Sequence, residues 1–137
     1  MSEDNKAAAR RFYEEFMPQG VIDAADELFS EDFVNHAAPP DAPGGRDSAR
    51  HQVTMLAEAF DDQSYEVHHV LGDGDEVAVH CTWNATHTGE FMGIPATQKR
   101  IAQKQIHLLR FDGGAIAEHW AVRDDLTMLR QMGIAPG

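Results

Sequence analysis

The chain has 137 residues, 42% of them hydrophobic, with 23 Asp+Glu against 11 Lys+Arg and a formal net charge of −12. This length suits one domain, residues 1–137, with a core of its own. The acid excess argues against nucleic acid and against an anionic membrane surface, since both recruit basic patches.

The first sixteen residues are charged and lack the apolar stretch of a signal peptide. No apolar run approaches the roughly 18–20 residues that cross a bilayer, so a cytoplasmic protein with no membrane partner is expected. Ala8, Ala9, Phe12, Tyr13 and Phe16 recur at helical spacing and predict a helix over 3–16, ended by Pro18 and Gly20. A second helix is predicted over 21–29, with Ile22, Ala25, Leu28 and Phe29 on one side, and Ser30-Glu31-Asp32 breaks it. Phe33 to His36 reads as a brief extended piece. Ala37 to Gly45 is too rich in proline and glycine for regular structure. A third helix follows over 46–60, with Val53, Leu56, Ala59 and Phe60 facing inward.

After Asp62 the hydrophobic period changes to two. Strands are predicted over 65–71, 76–88, 99–111 and 115–123, with hairpin turns at Asp73-Gly74 and Gly113-Gly114. A last helix over 124–132 is closed by Gly133. Helices followed by a long meander imply an α+β fold, with N-terminal helices packed on a strongly curved, mostly antiparallel sheet. Such a sheet and its helices make a cone with an open mouth.

The candidate chemistry concentrates in the last hairpin. Across a clean two-residue turn, Gln103, Gln105 and His107 share a face with Glu118, Trp120 and Val122, and with Asp124 if the strand runs that far. That face is too polar for a plain core and reads as a pocket lining. In that register His119, a further candidate for proton chemistry beside His107, Asp124 and Asp125, falls on the opposite face, and a shift of one residue would turn it to the pocket in place of Glu118. Asp124 precedes a helix, where aspartate is a favoured cap, and Asp125 suits the first turn through the helix dipole. A carboxylate there can cap a helix and also exchange protons. Asn35 and His36 stand before a loop that could arch over a pocket. His87 opens the loop Thr88-Gly89-Glu90-Phe91-Met92-Gly93-Ile94-Pro95, a candidate mouth lining. Eight histidines invite a metal, yet neither His-Glu-x-x-His nor paired-cysteine spacing is present, so no metal is expected. The single cysteine, Cys81, excludes an internal disulfide and reads as a buried inert thiol.

Three stretches carry a resemblance: Asp32-Phe33-Val34-Asn35-His36, then Thr86 to Thr97, then Ile116-Ala117-Glu118-His119-Trp120 running into Asp124 and Leu129-Arg130-Gln131-Met132-Gly133. In order and spacing the chain resembles the SnoaL-like polyketide cyclases, within the nuclear-transport-factor-2-like superfamily. The resemblance implies an intramolecular aldol closure of a polyketide ester without metal or cofactor. By motif it assigns the general acid/base to Asp124, in preference to Asp125, with Asn35 and His107 as polar helpers. Trp120, Phe91, His36, Gln105 and His87 are then the expected contacts to a small hydrophobic or aromatic substrate. Relatives also include cofactor-free hydroxylases, and the same fold serves as a non-catalytic ligand-binding or association module. A homodimer is expected on the same ground, with an open sheet face needing cover.

Overall fold

The computed structural model describes residues 2–19, 25–38 and 41–134. Its elements are α1 (Ser2–Arg11), α2 (Ala25–Leu28), β1 (Phe29–Asn35), α3 (Arg46–Ala59), β2 (Phe60–Asp73), β3 (Glu76–His87), β4 (Arg100–Asp112), β5 (Ala115–Arg123) and α4 (Asp125–Gln131). One five-stranded sheet runs in the order β1-β5-β4-β3-β2. β1 lies parallel to β5 and every other pair is antiparallel. The fold is α+β with a mixed sheet. Among the described residues no helix is long and apolar enough to cross a membrane.

Period-two patterning becomes an inner face. Val77, Val79, Cys81, Trp83 and Ala85 of β3 are buried, as are Ile101, Leu109 and Phe111 of β4. Helix α3 adds Val53 and Leu56 to the same cluster, and α1 adds Ala9. The thiol of Cys81 is part of this face, and burial pushes its pKa up to about 12, as an inert thiol requires.

Two element boundaries differ from expectation. Of the predicted 21–29 helix, residues 21–24 lie outside the described ones and Ala25–Leu28 is helical as expected. Its end, Phe29, is instead the first residue of β1 and pairs with Ile116. β2 begins at Phe60 rather than Tyr65, because Phe60 turns to φ −136°, ψ 135° while its N–H still bonds Leu56 O. The 60–64 stretch then joins the sheet through an irregular register in which Asp62 takes φ +53°.

Two local features shape the inner space. After α1 the chain widens into a π-helical stretch, Phe12–Phe16, where Met17 N–H reaches back to Phe12 O, and Met17–Gln19 closes the helix. Pro18 has no N–H and its ring crowds the carbonyl four residues back, so a regular continuation is disfavoured there. Both Phe12 and Tyr13 lie in this stretch and are buried. The second feature is Gly89. Thr88 N–H and Gly89 N–H both bond Ala59 O at 3.0 Å, and a Cβ at position 89 would run into the carbonyl oxygen of Glu58. Only glycine fits this approach. It ties the 88–98 loop to the end of α3 and holds Phe91 edge-on to Phe60, ring centres 5.0 Å apart.

Candidate active site

Between the inner sheet face, the π-helical stretch and α3 lies a cavity of about 240 Å³. At about 30 Å³ per water it has the volume of roughly eight waters, enough for a bicyclic aromatic molecule. Phe12, Phe29, Phe33, Val53, Leu56 and Trp83 make much of its wall apolar. Its polar lining comes from Tyr13, Asn35, Gln52, Tyr65, Gln103, Gln105, His107, His119, Arg123 and Asp125.

Six of these polar groups form one connected chain. Asp125 Oδ1 accepts from Gln103 Nε2 at 2.8 Å, and Gln103 Oε1 accepts from Gln105 Nε2 at 2.7 Å. Gln105 Oε1 meets His107 Nε2 at 2.6 Å, His107 Nδ1 meets His119 Nε2 at 2.9 Å, and His119 Nδ1 meets Asn35 Oδ1 at 2.8 Å. The polarity of both ends is determined by chemistry. A carboxylate only accepts, so Gln103 must donate to Asp125, and Gln105 must then present its oxygen to His107. Ala37 N–H donates to Asn35 Oδ1 at 3.0 Å, so Asn35 presents an acceptor too.

The imidazole pair is therefore held between two acceptors. Its three contacts need three protons, and two neutral imidazoles bring two. Burial, the charge of Arg123 and neighbouring His36 push the His119 pKa down to about 3. Burial, His119 and Arg123 hold His107 well below the ordinary imidazole range. The pair thus stays neutral near pH 7, one proton short of its frame, and favours proton uptake when negative charge appears beside it.

Tyr13 packs on His107 of this pair, ring centres 4.5 Å apart and planes 34° from parallel. Tyr13 and Tyr65 both line the cavity, and neither hydroxyl bonds another described residue. Burial raises the pKa of both, so they are phenols, that is, O–H donors.

The structure separates the residues singled out from the sequence. Asn35, Gln105, His107 and Phe91 line the cavity together. Trp120 and His36 do not. Arg110 pairs with Glu118 but Phe111 pairs with Ile116, so Ala117 is an extra residue in β5 and reverses the parity of every later position. His119, Ala121 and Arg123 consequently share the face of Leu109, His107 and Gln105, while Glu118, Trp120 and Val122 take the outer one. There Trp120 stacks on His36 with ring centres 4.7 Å apart and planes 6° from parallel, and His36 Nε2 lies 2.8 Å from Glu118 Oε2. This bond, and a second from Arg110, holds the Glu118 carboxyl below its usual range.

His87 is fully buried and is absent from the cavity lining. Its Nδ1 accepts from Thr97 N–H at 3.2 Å, and its ring packs on Phe60. It holds the loop whose Phe91 reaches the cavity. Asp124 caps α4: Oδ1 accepts from Thr127 N–H at 3.1 Å and Oδ2 from Thr127 Oγ1 at 2.6 Å. These bonds, with Lys104 and Arg130 nearby, hold its carboxyl below the ordinary range. Asp125, not Asp124, is the carboxylate on the cavity lining, at its exposed rim. Of the two register alternatives His119, not Glu118, lines the cavity, and Tyr13, Tyr65 and Arg123 are lining residues that the sequence does not distinguish from core or surface. Consecutive burial of Ile116 and Ala117 is the one local sign of the bulge that turns His119 and Arg123 inward.

Known proteins share this arrangement of elements. The family model described as SnoaL-like polyketide cyclase matches residues 7–132. Aklanonic acid methyl ester cyclase DnrD of Streptomyces peucetius is 30% identical over 117 residues, covering 83% of this chain and 81% of its own length. Nogalonic acid methyl ester cyclase of Streptomyces nogalater is 27% identical, covering 83% and 87%. Among solved structures, IdmH of Streptomyces antibioticus superposes with a TM-score of 0.80 at 29% identity, over 94% of this chain and 98% of that one. AclR of Streptomyces galilaeus, a candidate hydroxylase, gives 0.86 at 26% over 100% and 89%. A model match over nearly the whole length, a relative at 30% identity and the common fold place the chain in one family: it belongs to the SnoaL-like polyketide cyclases.

Proposed function

We propose that the protein is a cofactor-independent enzyme that closes a ring by intramolecular aldol addition in a small, flat, hydrophobic carbonyl compound. The observation that carries this reading is the make-up of the cavity: apolar walls, several donors without a protein partner, and one carboxylate at the rim. Tyr13, Tyr65 and the side-chain amide of Asn35 are donors that lack acceptors among the described residues. A substrate rich in carbonyl oxygens supplies acceptors. The family membership and the two methyl ester cyclases among its relatives point the same way.

In the proposed reaction Asp125 takes a proton from a carbon flanked by carbonyls. The resulting enolate carbon attacks a second carbonyl of the same molecule. One C–C bond forms, the attacked carbonyl becomes an alkoxide, and the proton returns to it, so the product is an isomer of the substrate. Phenol and amide donors stabilise the enolate oxygen as its charge grows. The neutral His107–His119 pair responds to the same charge by drawing a proton toward its unfilled contact. Phe91 and the apolar wall orient the chain for closure. The assignment of Asp124 as the base rests on motif position alone, and its bonds to Thr127 favour a capping role instead. Turnover of aromatic β-keto esters to cyclised isomers, followed by mass-neutral chromatographic shift, tests the proposal. Binding without any isomerisation across such a panel would move the reading to a ligand carrier. Turnover that requires dioxygen and adds oxygen mass would favour the hydroxylase reading that the likeness to AclR raises.

The outer sheet face supports a homodimer. Ile106 is 54% and Val122 76% exposed, beside Trp120 and Leu108, and a second copy would cover them. Sedimentation at micromolar concentration is expected to give twice the chain mass, and Ile106→Glu to give the single mass. A single mass for the wild type would remove the dimer.

A further inference from the structure

We propose that Arg123 is an anion-binding residue and that the cavity takes a substrate whose flat apolar body carries a carboxylate. This rests on the reading of the cavity as a substrate site and names the substrate class more closely.

Arg123 ends β5, directly opposite Gln105, and its side chain lines the cavity. It is half-buried and makes no hydrogen bond or ion pair with any described residue. That is unusual in this molecule. Arg10, Arg11, Arg46 and Arg110 each face a carboxylate within 4 Å. With 23 acidic residues against 11 basic ones, a partner for one more arginine is easy to supply. The acid that shares the lining, Asp125, is bonded to Gln103 instead.

A guanidinium has five donors in a planar fork and cannot shed its charge. Leaving it unmatched among apolar walls is costly unless a ligand completes it. A carboxylate matches the fork with two parallel bonds, which a neutral ester cannot do. The influence of this charge is already felt deep in the site, since it lowers the proton affinity of both His107 and His119. An anion on Arg123 would offset that influence, and the imidazole pair could then accept its missing proton. The relatives DnrD and nogalonic acid methyl ester cyclase are named for methyl esters. This chain, by its unmatched arginine, is suited to the free acid.

The test compares 2-naphthoic acid with methyl 2-naphthoate by titration calorimetry at pH 7.5, on the wild type, Arg123→Gln and Arg123→Lys. The wild type is expected to bind the acid at least about tenfold more tightly than the ester, the increment of a charge-assisted bond. Arg123→Gln should lose that preference through weaker acid binding with ester binding unchanged, which also shows that the variant folds. Arg123→Lys should restore part of it, and added salt should weaken the acid alone. Equal binding of acid and ester by the wild type, absence of acid binding, or an undiminished preference in Arg123→Gln would overturn the proposal. Failure of the cyclisation assay with the acid preference intact would sink the catalytic reading and leave the role of Arg123 standing.

Discussion

Asp125→Asn should lower kcat by about two to four orders of magnitude, the usual span for a positioned acid/base group, with the fold intact. The two adjacent aspartates differ in what their oxygens do. Both oxygens of Asp124 are engaged by Thr127, which stabilises the charged form and makes it a weaker base. Asp125 gives one oxygen to Gln103 and keeps the other without a partner among the described residues. Only Asp125 lines the cavity. Asp124→Ala should instead lower stability through loss of the cap. Its melting temperature should fall by a few degrees, with a smaller loss of turnover as α4 loosens. Turnover by both variants, measured beside their thermal unfolding, separates the roles. If Asp124→Ala abolished turnover in a stable protein while Asp125→Asn retained it, the assignment would have to revert to Asp124.

The comparison also shows which physical signals a sequence carries. The run from Glu76 to Arg123 was readable because half-buried strands alternate and Gly113-Gly114 can adopt two positive φ angles, 58° and 86°, in a tight hairpin. Parity failed within that run, at Ala117. Ala117 is small, apolar and buried, so nothing in its chemistry distinguishes a bulge from a strand residue, yet it exchanges the two faces of β5. Trp120 and His36 do come together, as a stack, but on the outer face. Position before a turn and an apolar period brought Asn35, Gln105, His107 and Phe91 into consideration. Tyr13 escaped because an aromatic residue at helical spacing is indistinguishable from core until the π-helical stretch and the long-range contact with His107 are seen. Arg123 carries meaning only through what it fails to pair with, and that is a property of the assembled structure.

The His107–His119 pair makes stability strongly dependent on pH. His119 has an ordinary pKa near 6.5 in an unfolded chain and about 3 in the folded one. Below pH 6.5 the unfolded chain binds a proton that the folded chain refuses. The contribution is therefore complete above pH 6.5 and is lost as pH falls from 6.5 toward 3. Between pH 6.5 and 4.5 this one imidazole should remove about 2 kcal/mol, a large share of the 5–15 kcal/mol typical of a small domain. His107 is shifted the same way and steepens the loss. The depressed carboxyls of Glu118 and Asp124 act at lower pH, since their stabilising charge is lost only as each is protonated. Urea unfolding at intervals from pH 7.5 to 4.5 should show the decline beginning near 6.5 in the wild type. His119→Gln keeps a polar group between His107 and Asn35 but cannot titrate, so its decline should be visibly shallower. An identical slope in the two proteins would mean that the pair already holds its third proton when folded. The site would then start each turnover as an acid, delivering a proton to the substrate oxygen instead of taking one up as charge develops.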